Sequence, residues 1–396
     1  MVFSNNLLMG AAGQSTGYEI DQSIRFDKTT SSHMSKTYSS AGNRKTWTFS
    51  TWFKRGKIDG TRQSLFAAAG PAYLQVGPDA AAREMITILN EGSGTDLNWY
   101  TTQVFRDPGA WYHLVWQFDS TQADADNRTK LYINGAQVTE FTKVATPAQN
   151  FDGAVNNAVE HRLGELHIAN YYFDGYQAEI NFIDGTALTP TAFGEYNNDG
   201  VWVPIAYSGA YGDNGFFIDG RDSSDLGDDE SGNGNDFASS GLTAADQVLD
   251  TPTLNFNVIN GLDAIYSTTY LNNGALQYQW ASPDQRPIFS TIQAGSGKFY
   301  CEVKRISGNA GQSWGVAPFD FNGTSKTADY GQRNCGGVVY EQNGVTYING
   351  TSASYGSSFS TETIGIALNL DDGQVTFYVD NTSQGAVNLP SGWDNS

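Results

Sequence analysis

Between Trp47 and Lys54 the side chains alternate in character: Trp47, Phe49 and Phe53 share one parity, Thr48 and Ser50 the other. A period of two is the pattern of a strand with one face on a core. Trp52 interrupts the polar face, which predicts cover on both sides. Trp111–Phe118 (WYHLVWQF) is apolar on both parities, as expected of a central sandwich strand. Leu131-Tyr132-Ile133 runs into Asn134-Gly135, a pair suited to a type I′ turn because both residues tolerate positive φ. Residues 175–183 (GYQAEINFI), 298–304 (KFYCEVK) and 374–380 (QVTFYVD) extend the set. Apolar runs with a 3.6-residue period are missing. One short helix is expected where Thr189 can act as N-cap and Pro190 can occupy the first turn. The pattern predicts an all-β chain with less than about 10% helix, against the usual 30–35%.

Length and composition divide that chain. At 396 residues it exceeds what one core supports. The predicted fold is two jelly-roll-type antiparallel β-sandwiches joined by an acidic, loop-rich connector. Residues 1–16 read as an N-terminal arm, 17–205 as the first sandwich, 206–254 as the connector and 255–396 as the second sandwich. The connector is crowded with Asp, Gly, Ser and Asn. Phe216, Phe217, Ile218, Phe237 and Leu242 interrupt it, which predicts an ordered segment docked on its neighbours. No internal repeat of 20–50 residues is visible.

A net charge of −20 and the absence of any basic run exclude a protein that tracks nucleic-acid backbone. No stretch reaches the 18 or so apolar residues of a membrane helix. The opening MVFSNNLLMGAAG has no basic run and only a short apolar one, unlike a signal peptide. Synthesis in a cytoplasm is therefore expected, with any extracellular role reached by assembly into a particle. Cys301 and Cys335 fit either buried thiols or one bridge.

Three stretches resemble a laminin-G-like, or concanavalin-A-like, sandwich: Phe49–Lys54, Trp111–Val115 and Leu131–Gly135, with 175–183 as a late strand. Ala178 stands where that family commonly has an acidic residue. The last 140 or so residues resemble a SPRY domain through Gly297–Val303, Trp314–Ala317, Thr363–Leu370 and Gly373 with Val375–Tyr378. The whole arrangement, from the opening peptide through DLGDDESGNGNDF to the SPRY-like end, resembles structural proteins of tailed, marine-type bacteriophages. A SPRY sandwich implies a further strand after the region of Trp393, yet the sequence stops at Ser396. The expectation is that the polypeptide continues, or that another chain supplies a strand by β-augmentation.

Candidate chemistry is sparse. A glycan hydrolase on this fold needs two carboxylates about 5–9.5 Å apart. The nearest candidates are Glu160 with Glu165, at odd spacing, and Glu179 alone, so no catalytic pair is assigned. Of His33, His113, His161 and His167, His113 reads as a core residue, and His161 and His167 flank Glu165. Calcium ligands are expected in either of two oxygen-rich loops. One holds Asp119, Asp124, Asp126 and Asn127; the other holds Asp228, Asp229, Asn233, Asn235 and Asp236. For glycan binding, Trp99, Tyr100, Tyr171, Tyr172 and Tyr176 are the candidate stacking aromatics.

Together these readings predict a virion-located phage structural protein, a tail fibre or spike component or a capsid decoration. Its role would be non-catalytic recognition of host-surface carbohydrate or of neighbouring virion proteins. It would form a homo-oligomer, with a trimer favoured, and insert in no membrane. The alternatives are a purely structural, particle-stabilising protein and a particle-borne glycan hydrolase.

Overall fold

The computed structural model describes residues 17–79, 81–92, 96–168, 170–261, 271–279, 288–307, 312–318 and 336–391. The described chain forms two compact units, 17–255 with 271–279, and 256–261 with 288–391. It is all-β, with multiple antiparallel sheets and 4% helix.

The first unit begins with β1 (Ser23–Phe26), β2 (His33–Thr37), β3 (Thr46–Arg55), β4 (Gln63–Ala68) and β5 (Ala72–Pro78). Then come β6 (Glu84–Asn90), β7 (Leu97–Val104), β8 (Trp111–Asp119), β9 (Thr129–Ile133) and β10 (Ala136–Gln137). They are followed by β11 (Phe141–Ala145), β12 (Glu160–Leu163), β13 (Gly175–Asp184), β14 (Gly194–Tyr196) and β15 (Trp202–Pro204). The unit ends with β16 (Phe216–Ile218), β17 (Ala238–Ser240), β18 (Gln247–Val248), β19 (Leu271–Asn272) and β20 (Gln277–Tyr278). One sheet runs β10-β9-β8-β3-β13-β1-β18, with β16 added beside β13; the other runs β11-β7-β6-β5-β4-β12-β2-β17.

The core between these sheets follows the alternation. Phe49 of β3 stacks on Phe66 of β4 at 4.5 Å, which ties one sheet to the other. Trp47 meets Trp116 edge-on at 4.8 Å and lies flat on Phe118 at 5.0 Å. On the far side of the first sheet a smaller cluster of Val115, Tyr132, Ile183 and Phe193 is buried. It accounts for Trp52, which stacks on His113 at 4.7 Å. The turn after β9 has Asn134 at φ 48° and Gly135 at φ 79°, both positive as a type I′ turn requires.

Two local expectations change. Residues Pro190–Ala192 form a 3₁₀ turn, with Pro190 in the first turn but without a side-chain cap from Thr189. The Thr189 hydroxyl bonds the Thr191 hydroxyl instead, at 2.8 Å. The acidic stretch 206–254 supplies β16, β17 and β18, which pair with β13, β2 and β1 in both sheets of the first unit. Its apolar interruptions explain this: Phe216 and Phe237 enter the core and meet at 4.7 Å.

The second unit has β21 (Lys298–Lys304), β22 (Ser313–Val316), β23 (Val338–Glu341), β24 (Val345–Ile348) and β25 (Thr351–Ser354). It closes with β26 (Thr363–Asn369), β27 (Gln374–Val379) and β28 (Thr382–Asn388). Two four-stranded sheets, β21-β26-β27-β28 and β22-β23-β24-β25, share a core that includes Cys301, Tyr340, Ile366, Val375 and Phe377. Cys301 is a free thiol, and burial pushes it up to about 12. Cys335, residues 1–16 and the segment after 391 lie outside the described residues.

Candidate functional site

The outer face of the second sheet of the first unit can be read from parity. Leu74, Val76, Ile86, Ile88, Leu97 and Trp99 all point into the core. Their neighbours Tyr73, Gln75, Thr87, Leu89, Asn98 and Tyr100 therefore point the other way. The register sets Tyr73 opposite Leu89, Gln75 opposite Thr87, Thr87 opposite Tyr100 and Leu89 opposite Asn98. The floor of this face is buried, with Gln75 at 2% exposure, between half-exposed Tyr73 and Tyr100. Burial pushes the Tyr73 hydroxyl up. The Arg62 charge opposes that shift, and Tyr100, Glu91 and Tyr171 add to it.

Arg62, just before β4, has its guanidinium carbon 5.8 Å from the centre of the Tyr100 ring. Its Nε donates to the Pro78 carbonyl at 3.3 Å. Tyr171 enters beside β4, its carbonyl accepting from the Ser64 N–H at 2.8 Å. It holds φ at 57°, a conformation that costs a bulky residue free energy and concentrates at functional sites. Two buried amide atoms on the face have no hydrogen-bond partner, Gln75 Nε2 and Asn98 Oδ1. Leaving such a group unmet costs about 1–3 kcal/mol, so the floor of the face carries two unsatisfied polar atoms just beneath its surface.

Farther along the same face stands Arg162, paired across the strands with Ala67 and Ser35. It bonds Glu160 through Nε at 3.0 Å and closes tightly on Glu165 through Nη1. Glu165 is fully buried, and His33 Nε2 lies 3.4 Å from its Oε2. Burial and then the neighbouring Glu165 push the Tyr172 hydroxyl up, and its ring centre lies 6.1 Å from that of His33. Glu160 and Glu165, which the sequence offered as the nearest carboxylate pair, are thus bridged by one guanidinium.

The structure separates the five candidate aromatics. Tyr100, Tyr171 and Tyr172 are half-exposed, on or beside this face. Trp99 points into the core at 2% exposure, its indole N–H donating to Thr146 and its ring under Lys143 at 4.2 Å. Tyr176 is 1% exposed on the other sheet, its hydroxyl tied to the Gly274 carbonyl at 2.8 Å. These two are core residues, which corrects the expectation that they stack on sugar.

The two oxygen-rich loops use their oxygens internally. Asp229 accepts from Phe217 N at 2.8 Å, Ser231 N at 2.9 Å, Ser231 Oγ at 2.8 Å and Asn235 N at 2.7 Å. Asp236 accepts from Asp229 N, while the side-chain amides of Asn233 and Asn235 both donate to Gly215 O. Burial pushes the Asp228 carboxyl up, and the charges of Asp236, Asp225 and Asp222 add to the shift. In the other loop Asp119 accepts from Thr121 and Gln122, Asp124 caps the 3₁₀ turn Ala125–Asn127, and Asp126 pairs with Lys143. Asn127 donates its amide to Asp124 at 3.4 Å. Among the described residues no three His, Cys, Asp or Glu side chains converge as a metal centre. The calcium expectation finds no ligand cage in either loop.

His113 and His161 are each 1% exposed and neutral, burial taking them down to about 3 and about 4. Trp202 donates its indole N–H to His113 Nδ1 at 3.0 Å, which leaves the Nε2 proton for Ser50 Oγ at 2.9 Å. Two other carboxyls are displaced, Asp174 and Glu179, each raised to about 7 chiefly by burial. Glu179 lies in β13 at φ 49°, where the register with β3 shifts, and Asp174 immediately precedes that strand.

This two-sheet architecture has a match among known families. Residues 27–192 match the family model Laminin G 3, described as the concanavalin A-like lectin/glucanases superfamily. The first unit carries a laminin-G-like domain. No curated protein matches the chain. Among solved structures, a Bacteroides ovatus protein named for a supposed carbohydrate-binding role is similar at 12% identity and TM-score 0.35, over 56% of this chain and 58% of that one. A heptameric pentraxin from Limulus polyphemus is similar at 14% identity and TM-score 0.34, over 44% of this chain and 80% of that one. Tailspike protein 2 of an Escherichia coli O157:H7 bacteriophage is similar at 11% identity and TM-score 0.30, over 47% of this chain and 28% of that one. The chain thus spans little more than half of the first of these proteins. The tyrosine face and Arg62 lie within the laminin-G-like match.

Proposed function

We propose that the outer face carrying Tyr73, Tyr100 and Tyr171 binds a glycan without cleaving it. The observation that carries this reading is the set of half-exposed tyrosines, Tyr73, Tyr100 and Tyr171, on and beside a face whose floor carries the polar Gln75 and Asn98. A sugar ring offers C–H surface to an aromatic face and hydroxyls to amides, and such pockets combine apolar walls with a few placed polar groups. Non-catalytic binding is supported by the carboxylates. Glu160 and Glu165 are held by Arg162, and the carboxyls raised into the range of a general acid, Asp174 and Glu179, belong to the opposite sheet or its approach.

The setting we propose is a tailed-phage virion, as a fibre, spike or decoration protein, with a SPRY-like second unit facing other virion proteins. The sequence resemblance over nearly the whole chain supports this. A homo-oligomer, with a trimer favoured, would supply the avidity that single weak glycan sites need. A glycan panel tests the binding claim. The wild type binds at least one member, and Tyr100→Ala and Tyr171→Ala each weaken that binding about tenfold or more. Binding that neither substitution changes refutes the assignment of the face. Release of reducing sugar from a bound glycan would instead establish a hydrolase.

A further inference from the structure

We infer that the glycan recognised on this face carries a carboxylate, as uronic or sialic acids do, and that Arg62 is its anchor. The inference rests on the binding reading above and deepens it.

The chain is strongly acidic, at −20, so most of its cations have ready counterions. Among the described residues Arg25, Arg55, Arg83, Arg162 and Arg221 are ion-paired, Arg44 and Arg128 give their guanidinium donors to backbone carbonyls, and Arg106 is exposed after β7. Arg62 has no such pair, although carboxylates flank it on both sides. Asp59, three residues before it, is taken by Lys28 at 3.0 Å and Lys57 at 3.9 Å. Asp79, next to the Pro78 that accepts from Arg62, is taken by Arg83 and held down at about 2. The one hydrogen bond of the guanidinium goes from Nε to the Pro78 carbonyl, so both Nη groups keep their donors.

The group is also held in place. The ring of Tyr100 lies within 5.8 Å of the guanidinium carbon, and the Nε bond fixes the plane from the other end. A planar fork with two free Nη groups fits a carboxylate in a bidentate manner, which a compact ammonium cannot do. Preorganisation of this kind lowers the entropy cost of binding. Gly77 contributes: it holds φ at 148°, and a Cβ there would sit 2.6 Å from Arg62 Cα. The strand carrying Gln75 therefore comes close to Arg62, which brings the partnerless Gln75 amide and the free guanidinium to one face. A sugar carboxylate at Arg62 would meet the two free Nη groups while the sugar ring lies over the floor that Gln75 underlies.

The test uses matched pairs that differ in the carboxylate: hexagalacturonate against its methyl ester, and sialyllactose against its methyl ester, titrated by calorimetry with the full chain. The expected result is at least tenfold tighter binding of the acid in one pair, with the preference shrinking as salt rises. Arg62→Gln should remove the preference, Arg62→Lys should keep only part of it, and Tyr100→Ala should weaken the acid and its neutral partner together. Equal binding within both pairs, or a preference that survives Arg62→Gln, overturns the inference. Tyr100-dependent binding confined to neutral glycans overturns it while leaving the binding face standing. Absence of Tyr100-dependent binding to any glycan overturns both.

Discussion

Replacing Asp174 by Asn should make the first unit more stable at neutral pH and leave it unchanged in mild acid. The Asp174 carboxyl is fully buried, where it accepts from the Gly274 N–H at 3.1 Å and, at longer range, from the Lys28 N–H at 3.4 Å. Burial is the larger cause of its rise to about 7, and the nearby Asp27 charge adds to it. A carboxyl whose folded value lies above its unfolded value binds its proton more tightly when folded. Its protonated form therefore favours the fold in acid, and that contribution drains away as pH climbs from about 4 to about 7. The interval from 3.8 to about 7 corresponds to a ceiling of roughly 4 kcal/mol. Asn keeps an acceptor for Gly274 and carries no charge, so the variant avoids the loss. Urea unfolding followed by tryptophan fluorescence between pH 4.5 and 8.5 reads this directly. The variant should exceed the wild type by about 2–4 kcal/mol at pH 8 and converge with it near pH 4.5. Glu179, also raised to about 7, keeps a smaller slope in the variant. Parallel curves for the two proteins across the whole range would refute the reasoning.

Other substitutions probe separate parts of the molecule. Asp229→Ala removes the acceptor of four hydrogen bonds and should cost about 2–4 kcal/mol in urea unfolding, whereas EGTA should leave the wild-type melting temperature unchanged; a fall of several degrees on chelation would show that the acidic stretch holds a cation. Phe377→Ala empties a fully buried site against Tyr340 and should cost roughly 3–5 kcal/mol in the unfolding of the second unit. Gly77→Ala should weaken binding of an acidic glycan more than that of its neutral partner, because the added methyl displaces Arg62.

Much of the fold was legible from residue pattern. Period-two stretches such as Trp47–Phe53 and the Asn134-Gly135 pair report local backbone preferences, and those need no distant partner. The two central strands of one second-unit sheet, β26 and β27, were equally plain for the same reason. The site was harder. Trp99 shares the parity of Leu97, so strand alternation could have placed it inside. The burial of Tyr176 depends on a backbone carbonyl at Gly274, nearly a hundred residues away, and no local signal reports that. Tyr73, Gln75 and Arg62 escaped notice because the stretch AYLQVG carries small and apolar residues on both parities. Their significance arises only when β4, β5, β6 and β7 are aligned. The acidic stretch misled by composition: Asp and Asn serve turns as readily as cations, and here they accept from and donate to the backbone.

The central claim is that Gln75 and its surrounding tyrosines form a glycan site, and the Gln75 side-chain amide is its most direct reporter. Its Nε2 is buried without an acceptor just beneath the face, so a sugar ring seated over it should move its resonances. Amide NMR of the full chain, titrated with the tightest-binding glycan of the panel, reads this with the Asn255 amide, bonded to the Gly109 carbonyl, as internal control. The account predicts saturable shifts at Gln75 and Asn98 with Asn255 unmoved. Saturable binding that shifts other residues while leaving Gln75 and Asn98 in place would contradict it.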